Sequence, residues 1–378
     1  MVTAVGYAYP WDDLDDTDQV AVDAVALPDA YHSTLAATPR RRDRRMVTAA
    51  HAAFYLPVRP ERWTGRLVPR EPSWDGGYLD ARDRLRAKGI PTHAWTVLTH
   101  STVLGSANPD LAVRNAFGEV YEYALCPSAD EVADYCATLV AEVVEVGEPD
   151  GLVLEACGPL GVDHGGHHDK LEFAAWTKVQ RQLLSLCFCA ACARRFTAAG
   201  VDPARLAEIV RGASRPDSVE DALGELADPV RAVRTGIASG LRARLVEEAR
   251  GLPVTLHGNP DPWQTGPFAT VADSALDGVD AVVINAWGDP AAARRDIEAL
   301  SALAPVRVGA YVRPDTLPDD LDAHADGLLA AGMGELHLYH LGLVPEPALR
   351  KLADLVTAAG RRRTATSAPS PKQIGGSR

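Results

Sequence analysis

The sequence predicts an α/β protein, a (β/α)8 TIM barrel with a helical insertion after the fourth strand. Short apolar and β-branched runs recur along the 378 residues, and most are followed by a helical stretch, which is typical of parallel α/β architecture. Eight such strand-helix units are the number that closes a barrel. One interval between runs, from residue 155 to residue 253, is far longer than the rest and predicts the insertion.

Each predicted element rests on a run of suitable type and length. The eight predicted strands are residues 3–9, 46–54, 91–98, 151–155, 253–257, 281–286, 306–312 and 335–341. Helical stretches fit between them, for example residues 131–146, 228–250 and 289–304.

Three regions follow from this order of elements. We expect the barrel over residues 1–360, and within it a helical insertion over residues 158–252 that carries a cluster of cysteines. Residues 361–378 are polar, rich in Ser, Pro and Arg, and show no periodicity, which predicts a disordered tail.

Composition and charge exclude several classes of function. With 47% hydrophobic and 24% charged residues, the chain has enough apolar side chains for a large core. Its formal net charge of -13 argues against nucleic acid and anionic membranes as partners. No apolar run approaches the ~18 residues of a membrane span, and the first residues lack a signal-peptide pattern, so we expect a cytoplasmic protein. Six cysteines are too few for a disulfide scaffold in a chain of this length.

Glu155 is the predicted catalytic residue. It ends the fourth predicted strand after the apolar run Gly-Leu-Val-Leu, and the active sites of such barrels lie at the carboxyl ends of the strands. Apolar neighbours would keep water from the carboxyl group and raise its pKa, which suits a general acid near neutral pH. The alternative is a buried glutamate that only holds the barrel mouth together through a pairing with Arg or His.

Aromatic and polar side chains follow several of the other predicted strands. Aromatic rings suit the apolar face of a sugar and polar groups suit its hydroxyls, so we expect a small-molecule or oligosaccharide substrate. The predicted substrate-binding residues are Tyr9, Trp11, Asp12, His51, His164, His167, His168, His257, Asn259, Trp263, Asn285, Trp287, Tyr311 and Arg313. Taken singly, each aromatic residue is more often part of a core than of a binding surface.

A cysteine cluster predicts a structural zinc site. Residues 187–192 read CFCAAC, in which three thiolates can face one point, and a tetrahedral zinc ion needs a fourth ligand. The predicted ligands are Cys126, Cys187, Cys189 and Cys192, with Arg194 and Arg195 offsetting the negative charge. Four thiolates leave no open position for water, so the zinc would be structural. The alternative is a set of free, partly buried thiols.

A histidine-rich loop follows the fourth predicted strand and offers a different site. His164, His167 and His168 lie among glycines, with Asp163 and Asp169 beside them. These groups suit a catalytic metal, but they also suit hydroxyl binding or proton transfer, and a surface loop is the third interpretation.

The order of these residues resembles that of glycoside-hydrolase-like TIM barrels, and the cysteine pattern is similar to that of the family-42 β-galactosidases. In that family one cysteine before the acid/base glutamate joins a CxCxxC sequence after it to bind zinc. Cys126, Glu155 and the CFCAAC sequence stand in that order here. The resemblance implies that Glu155 is the acid/base residue and that the four cysteines bind zinc.

Two departures from the retaining families of this clan bear on the mechanism. Leu154 precedes the fourth-strand glutamate where those families usually have Asn, and no Glu ends the seventh predicted strand. A second catalytic carboxylate is then expected from Asp289 or Asp315. A separation of ~5.5 Å from Glu155 favours retention of configuration, and ~6.5 to 9.5 Å favours inversion.

Three functional hypotheses follow. The first is a glycoside hydrolase with Glu155 as general acid and an Asp as base or nucleophile. The second is a metal-dependent sugar isomerase, epimerase or hydrolase that uses His164, His167, His168 and His257. The third is a barrel that binds a glycan without catalysis, since the seventh strand lacks a Glu.

Overall fold

The computed structural model describes residues 2–50, 53–72, 77–164, 170–273, 276–303 and 305–366. Its strands are β1 (Thr3–Tyr7), β2 (Ala24–Tyr31), β3 (Thr34–Ala37), β4 (Met46–Ala49), β5 (Ala53–Phe54), β6 (Thr92–Val97), β7 (Ala112–Arg114), β8 (Val120–Leu125), β9 (Gly151–Glu155), β10 (Val254–Asn259), β11 (Ala269–Thr270), β12 (Ala281–Asn285), β13 (Arg307–Val312) and β14 (Met333–Leu338).

The α-helices are α1 (Tyr78–Ala87), α2 (Thr102–Ala107), α3 (Asp130–Glu142), α4 (Lys178–Leu184), α5 (Ala190–Ala198), α6 (Pro203–Gly212), α7 (Val219–Leu223), α8 (Ala227–Glu248), α9 (Pro290–Leu303), α10 (Leu321–Ala330) and α11 (Glu346–Thr366). A π-helical turn, Val143–Gly147, continues α3. Short 3-10 turns lie at Leu14–Gln19, Pro60–Arg62, Val162–His164, Leu171–Ala174 and Gly224–Leu226.

Eight parallel strands close into a barrel, which confirms the predicted fold class. In order around the barrel they are β1, β2, β6, β9, β10, β12, β13 and β14. β1 closes the ring because it pairs with β2 on one side, where Val5 lies opposite Ala24, and with β14 on the other, where Val5 lies opposite His337. The carboxyl ends of all eight strands therefore meet at one end of the barrel, the mouth, and the amino ends meet at the opposite face.

The second barrel strand is β2, so the prediction of residues 46–54 for this strand is wrong. Met46–Ala49 forms β4, which pairs with β3 in an antiparallel hairpin outside the barrel. Ala53–Phe54 pairs antiparallel with β2. The other seven predicted strands coincide with barrel strands to within a few residues.

The composition of β2 explains why it escaped prediction. Pro28 and Asp29 lie in the middle of the strand, and both residue types are depleted in strands. An irregularity in the pairing with β6 accommodates the chain between Pro28 and Ala30. Asp29 is buried and accepts a hydrogen bond from Thr96 Oγ1 at 2.9 Å, so its carboxylate has a partner inside the fold.

The longest connection in the barrel runs from β9 to β10 and is helical. It contains α4 to α8, of which α8 packs against α3 on the outside of the barrel. A separate helical unit with bounds at residues 158–252 stays a prediction. At the other end of the chain α11 extends to Thr366, so residues 361–366 of the predicted tail are helical, while residues 367–378 lie outside the described residues.

Apolar side chains fill the space around the barrel strands. Leu152, Val153 and Leu154 of β9 are fully buried, and β12 shows the same continuous apolar run. Such runs are typical of parallel strands because helices cover their outer surface. None of the helices in the described ranges has both the length and the apolar character that a membrane crossing requires.

Candidate active site

Glu155 lies at the mouth, where β9 meets the loop that follows it. Its side chain is 9% exposed. The indole Nε1–H of Trp95 donates a hydrogen bond to Glu155 Oε2 at 2.7 Å, and His257 Nδ1 lies 3.3 Å from the same oxygen. The next residue, Ala156, has a φ of 55°, a left-handed conformation that is costly for a residue with a side chain. The fold therefore holds this carboxylate in a defined position where such barrels carry their active sites.

The ionisation of Glu155 differs from the sequence prediction. Burial alone raises the pKa of its carboxyl group, but His257, the neighbouring His32 and the hydrogen bond from Trp95 together hold that pKa below its ordinary value. The predicted rise is wrong in sign, because the sequence does not show which polar groups face the carboxylate. Glu155 is ionised at neutral pH.

A cluster of packed aromatic rings, most of them buried, lies beside this carboxylate. Tyr7 meets Trp95 and Tyr311 edge-on, with ring centroids 4.9 and 4.7 Å away. Trp287 stacks on Tyr311 at 5.4 Å, and the guanidinium of Arg313 lies 4.9 Å from the centre of the Trp287 ring. The structure thus brings together Trp287, Tyr311 and Arg313, three of the predicted substrate-binding residues.

Tyr9, Trp11 and Asp12 are buried on the other side of Trp95. The rings of Tyr9 and Trp11 stack at 4.5 Å, and Tyr9 lies 6.3 Å from Trp95. Asp12 Oδ2 accepts a hydrogen bond from the backbone N–H of Tyr9 at 2.7 Å and lies 3.7 Å from His340 Nδ1. Burial raises the pKa of Asp12 to about 7, although the Tyr9 N–H partly offsets it. These side chains shape the mouth from within the core.

The predicted histidines are described only in part. His51, His167 and His168 lie outside the described residues. His164 lies next to His100, with His164 Nε2 3.1 Å from His100 Nδ1.

A third imidazole joins this pair, since the His32 ring lies 4.4 Å from that of His100. Burial lowers the pKa of His32, His100 and His164 alike, which favours their neutral forms. Among the described residues, the sets of three or more metal-ligand atoms lying within 4.8 Å of one another do not include these imidazoles. Their arrangement therefore suits hydrogen bonding or proton transfer better than metal binding.

Three other predicted substrate-binding residues make local contacts instead. Trp263 Nε1–H donates to Glu220 Oε1 at 2.6 Å, which ties it to the helical connection. Asn259 Oδ1 and Asn285 Oδ1 each accept, at 2.9 Å, a hydrogen bond from the backbone N–H two residues further on. The two asparagines thus stabilise turns.

The two predicted second carboxylates are exposed. Asp289, 62% exposed, accepts a hydrogen bond from the Ala291 backbone N–H at the start of α9. Asp315, also 62% exposed, pairs with the Arg313 guanidinium at 2.5 Å. Among the described hydrogen bonds and ion pairs, neither aspartate contacts Glu155.

Four residues at or below the mouth were not predicted as site residues. Trp95 contacts Glu155, and Tyr7 contacts its partner His257. His337 contacts Tyr7 in turn, and Glu335 contacts His337. One signal was present: Glu335 and His337 are two residues apart in a predicted strand, so both side chains are on the same face. Polar residues at alternate positions of an otherwise apolar barrel strand indicate a polar interior.

A cluster of four thiols joins the loops that follow the third and fourth barrel strands. Cys126 follows β8, and the other three lie just before or within α5. All four are buried, and their sulfur atoms lie within 4.8 Å of one another. Cys126 Sγ is 3.5 Å from Cys192 Sγ and 3.6 Å from Cys189 Sγ. Zn–S bonds of about 2.3 Å place tetrahedral sulfur ligands about 3.8 Å apart, so this donor set fits a zinc ion.

Two backbone donors and a buried cation lie at this cluster. The backbone N–H groups of Arg114 and Cys189 donate to Cys187 Sγ at 3.5 and 3.4 Å. The buried guanidinium of Arg234 is the cation that interacts with the thiols; burial lowers its pKa and the thiols partly restore it. Arg195, expected in this role, donates a hydrogen bond to Ser128 Oγ instead.

Comparisons with known proteins agree with the barrel. No protein-family model and no curated protein matches the chain. Among solved structures, it is similar to α-L-fucosidase isoenzyme 2 from Paenibacillus thiaminolyticus, with a TM-score of 0.56 and 12% identity over 97% of this chain and 50% of that one. It is also similar to the catalytic domain of β-amylase from Paenibacillus polymyxa, with a TM-score of 0.55 and 10% identity over 97% of this chain and 99% of that one.

The chain thus spans about half the length of the fucosidase. At such identities the likeness shows the fold alone. The resemblance to the family-42 β-galactosidases stays a prediction.

Proposed function

We propose that this protein is a carbohydrate-active enzyme, a glycoside hydrolase in which Glu155 is a catalytic carboxylate. The observation that carries the proposal is the burial of one ionised carboxylate at the carboxyl end of a barrel strand, between Trp95 and His257. Burying a charged group costs several kcal/mol unless polar partners compensate it, so such a site is a candidate for function. The fold is shared with proteins named as a fucosidase and a β-amylase, which agrees with a carbohydrate substrate.

The partly exposed Trp287, at the edge of the aromatic cluster, supports a sugar as the substrate. Trp287 is partly exposed and stacks on Tyr311, so it offers a flat apolar face to a sugar ring. Arg313 lies against Trp287 and provides donors for hydroxyl groups. A site of this kind combines apolar contact with a few directional polar groups.

In the proposed mechanism His257 supplies the proton that Glu155 transfers. Because Glu155 is ionised in the free protein, it must gain a proton before it acts as the general acid. Among the described contacts of Glu155, His257 Nδ1 at 3.3 Å is the titratable nitrogen closest to the carboxylate. The proton passes from His257 to Glu155 as Glu155 protonates the leaving oxygen.

Asp315 is the better candidate for the second carboxylate. It pairs with Arg313, whose guanidinium packs on Trp287, so it belongs to the same surface as the proposed sugar site. Asp289 instead caps α9. In this proposal Asp315 acts as base or nucleophile once substrate displaces it from Arg313.

The function is tested with a panel of aryl glycosides and with Glu155→Gln. We expect the wild-type protein to hydrolyse at least one glycoside, and Glu155→Gln to lower kcat about 10³-fold while leaving the thermal shift caused by that glycoside unchanged. The matched control is Glu122→Gln, a change at an exposed glutamate on β8. An unchanged kcat in Glu155→Gln would remove this residue from the mechanism. Thermal shifts without any product in the wild type would support a glycan-binding barrel instead.

We propose in addition that Cys126, Cys187, Cys189 and Cys192 hold one structural zinc ion. The sulfur separations and the N–H donors support this assignment. The ion would cross-link the loops after the third and fourth barrel strands, one of which follows Glu155. Its chemistry is structural, because four thiolates complete the coordination of the ion.

A further inference from the structure

A line of titratable side chains crosses the interior of the barrel. It begins at Glu155, whose Oε2 lies 3.3 Å from His257 Nδ1. The hydroxyl oxygen of Tyr7 lies 2.9 Å from His257 Nε2 and 3.0 Å from His337 Nδ1. His337 Nε2 lies 3.1 Å from Glu335 Oε2. These five buried side chains are called the interior line below.

The far end of the interior line reaches the opposite face of the barrel. Glu335 lies near the amino end of β14, and its Oε1 pairs with Arg307 Nε at 2.8 Å. Arg307 begins β13, and its side chain is 56% exposed. The line therefore joins the carboxylate at the mouth to a charge in contact with solvent at the other end of the barrel.

The barrel makes room for these side chains. A Cβ atom at Gly309 would lie 3.2 Å from His337 Cδ2 and 2.9 Å from a methyl group of Val283. The interior of such barrels is usually filled by branched apolar side chains, and polar groups there are costly unless each finds a partner. A glycine that leaves space for an imidazole supports a role for the line beyond packing.

The contacts determine how many protons the interior line holds. Neutral Tyr7, His257 and His337 each carry one N–H or O–H hydrogen for these contacts, and ionised glutamates carry none. Three hydrogen bonds join His257 to Tyr7, Tyr7 to His337 and His337 to Glu335, and they use these three hydrogens. His257 Nδ1, which has no hydrogen-bond partner among the described residues, is then a bare acceptor 3.3 Å from Glu155 Oε2. Two bare acceptors repel each other. The line therefore holds one additional proton, either at the Glu155 end or at the Glu335 end.

We propose that the interior line is a proton wire that moves this additional proton between Glu335 at the opposite face and Glu155 at the mouth. The proposal rests on the proposed function, in which Glu155 gives a proton to a leaving oxygen and must be protonated again. Tyr7, His257 and His337 are then positioning residues, since they act through Glu155 and do not touch the substrate.

Each transfer conserves protons and electrons. In the direction of recharging, Glu335 gives its proton to His337 Nε2, and His337 Nδ1–H passes to the oxygen of Tyr7. The Tyr7 hydroxyl hydrogen passes to His257 Nε2, and His257 Nδ1–H passes to Glu155. Four N–H or O–H bonds break and four form, so the net change is one proton lost by Glu335 and one gained by Glu155.

Tyr7 takes part only as a neutral hydroxyl. Burial, followed by the charges of Glu155 and Glu335, raises the pKa of Tyr7 well above its ordinary value. A tyrosinate is therefore excluded as an intermediate near neutral pH. The hydroxyl group accepts one proton as it gives up the other.

Groups outside the line bias the end at which the proton resides. At the mouth, His32 favours the ionised form of Glu155. The negative charge of Glu155 also interacts with His164 and with the hydroxyl groups of Tyr311 and Tyr339.

At the opposite face, Arg307 and His93 favour ionised Glu335, and Asp150 faces His93. Both carboxyl groups thus have neighbours that favour their ionised forms.

The first test is Glu335→Gln, read out by the pKa of Glu155. That pKa is measured from the carbon-13 shift of the Glu155 carboxyl over a pH titration, with the signal assigned by its loss in Glu155→Gln. If the wire exists, the proton no longer has a carboxylate at the far end, and the pKa of Glu155 rises by at least about one pH unit. Loss of a negative charge acting through space would lower that pKa, so a fall or no change overturns the proposal.

Arg307→Gln is a second test with the opposite sign and a surface position that keeps the core intact. Removing the Arg307 guanidinium raises the proton affinity of Glu335. If the wire exists, the additional proton then resides more at Glu335 and less at Glu155, and the pKa of Glu155 falls. Loss of a positive charge through space would raise the pKa of Glu155. A rise or no change in Arg307→Gln therefore contradicts the wire.

Tyr7→Phe cuts the line in its middle. Its matched control is Tyr78→Phe, which removes another buried hydroxyl, one without a hydrogen-bond partner among the described residues. In a Tyr7→Phe background, Glu335→Gln and Arg307→Gln should either leave the pKa of Glu155 unchanged or shift it in the direction expected from direct electrostatic interaction. In a Tyr78→Phe background, both changes should shift that pKa as they do in the wild type. Distal effects that persist in Tyr7→Phe would show that Tyr7 does not carry the proton.

Turnover separates this inference from the proposed function. If an aryl glycoside is hydrolysed, Tyr7→Phe should lower kcat at least about tenfold with KM unchanged and should shift the pH profile of kcat, while Tyr78→Phe should change neither. If no glycoside is hydrolysed, the proposed function fails, and the three titrations still decide whether the interior line shares the additional proton between its two carboxylates.

Discussion

The thiol cluster and the interior line are both buried sets of reactive side chains, but they are assembled in different ways. Three of the four cysteines come from one short segment, and the fourth comes from a neighbouring loop. The interior line draws its members from four different barrel strands, β1, β9, β10 and β14. The first is a local construction, and the second exists only when the barrel is closed.

The two regions also differ in the groups that compensate their buried negative charge. Four thiolates around one point need a dication, so the loops they join are expected to depend on metal. The carboxylates at the mouth and in the interior contact histidines, an indole N–H and, at Glu335, the Arg307 guanidinium, so the barrel is expected to depend on pH. The predictions below separate these two dependences.

The largest expected effect is on the thiol cluster. Elemental analysis should find one zinc ion per chain, and Cys187→Ser should release it and lower the free energy of unfolding by several kcal/mol. The measurement is thermal or denaturant unfolding with and without a chelator. Cys136→Ser, at a buried thiol outside the cluster, is the matched control and should keep the metal.

A metal-free wild-type protein that unfolds as cooperatively as the metal-loaded one would contradict the zinc proposal. A second metal lost on His164→Ala would instead favour the metal-dependent enzyme.

The second prediction concerns Asp12 at the mouth. Its pKa of about 7 in the folded chain lies above the ordinary value of 3.8, so between these pH values the folded protein keeps a proton that the unfolded chain has released. This contribution is present below pH ~4 and is lost as pH rises through about 7. It amounts to at most about 4 kcal/mol, at about 1.4 kcal/mol for each pH unit.

Asp12→Asn should therefore flatten the decline in the free energy of unfolding over this pH range, as measured by urea denaturation at several pH values. Asp13→Asn, at the exposed neighbouring position, should keep the wild-type slope. Equal slopes in the wild type and Asp12→Asn would show that Asp12 is ionised in the folded protein.

The smallest expected effect is that of Trp95→Phe. This change removes the indole N–H that donates to Glu155 and should raise the pKa of that carboxyl by about one to two pH units, since a hydrogen bond to a charged group contributes about 1.5–3 kcal/mol. The carbon-13 titration of Glu155 measures it. Trp63→Phe, at a buried indole whose Nε1 has no hydrogen-bond partner in the part of the chain that the structure describes, should leave the titration of Glu155 unchanged. An unchanged pKa in Trp95→Phe would leave His257 as the main cause of the lowered value.

Part of the candidate site was predictable because its signals are local. Glu155 follows an apolar run, and the CFCAAC spacing places three thiols together, so both could be identified before any tertiary contact was known. The partners of Glu155 were not, because Trp95 and His257 are 60 and 102 positions away and no periodicity links them to it. The sign of its pKa shift depends on those partners and was therefore mispredicted.

The sequence by itself determined seven of the eight barrel strands, the helical connection after the fourth strand and the presence of an acid at that strand's end, since each follows from a run of neighbouring residues. Only the tertiary structure decided that Pro28 and Asp29 lie inside the second strand and that Tyr7 meets His257 and His337, which are 250 and 330 positions away. The physical reason is that closing the barrel brings β1 and β14, which hold its two ends, side by side. Contacts of this kind depend on which faces the closed barrel turns inward, and local pattern alone does not specify them.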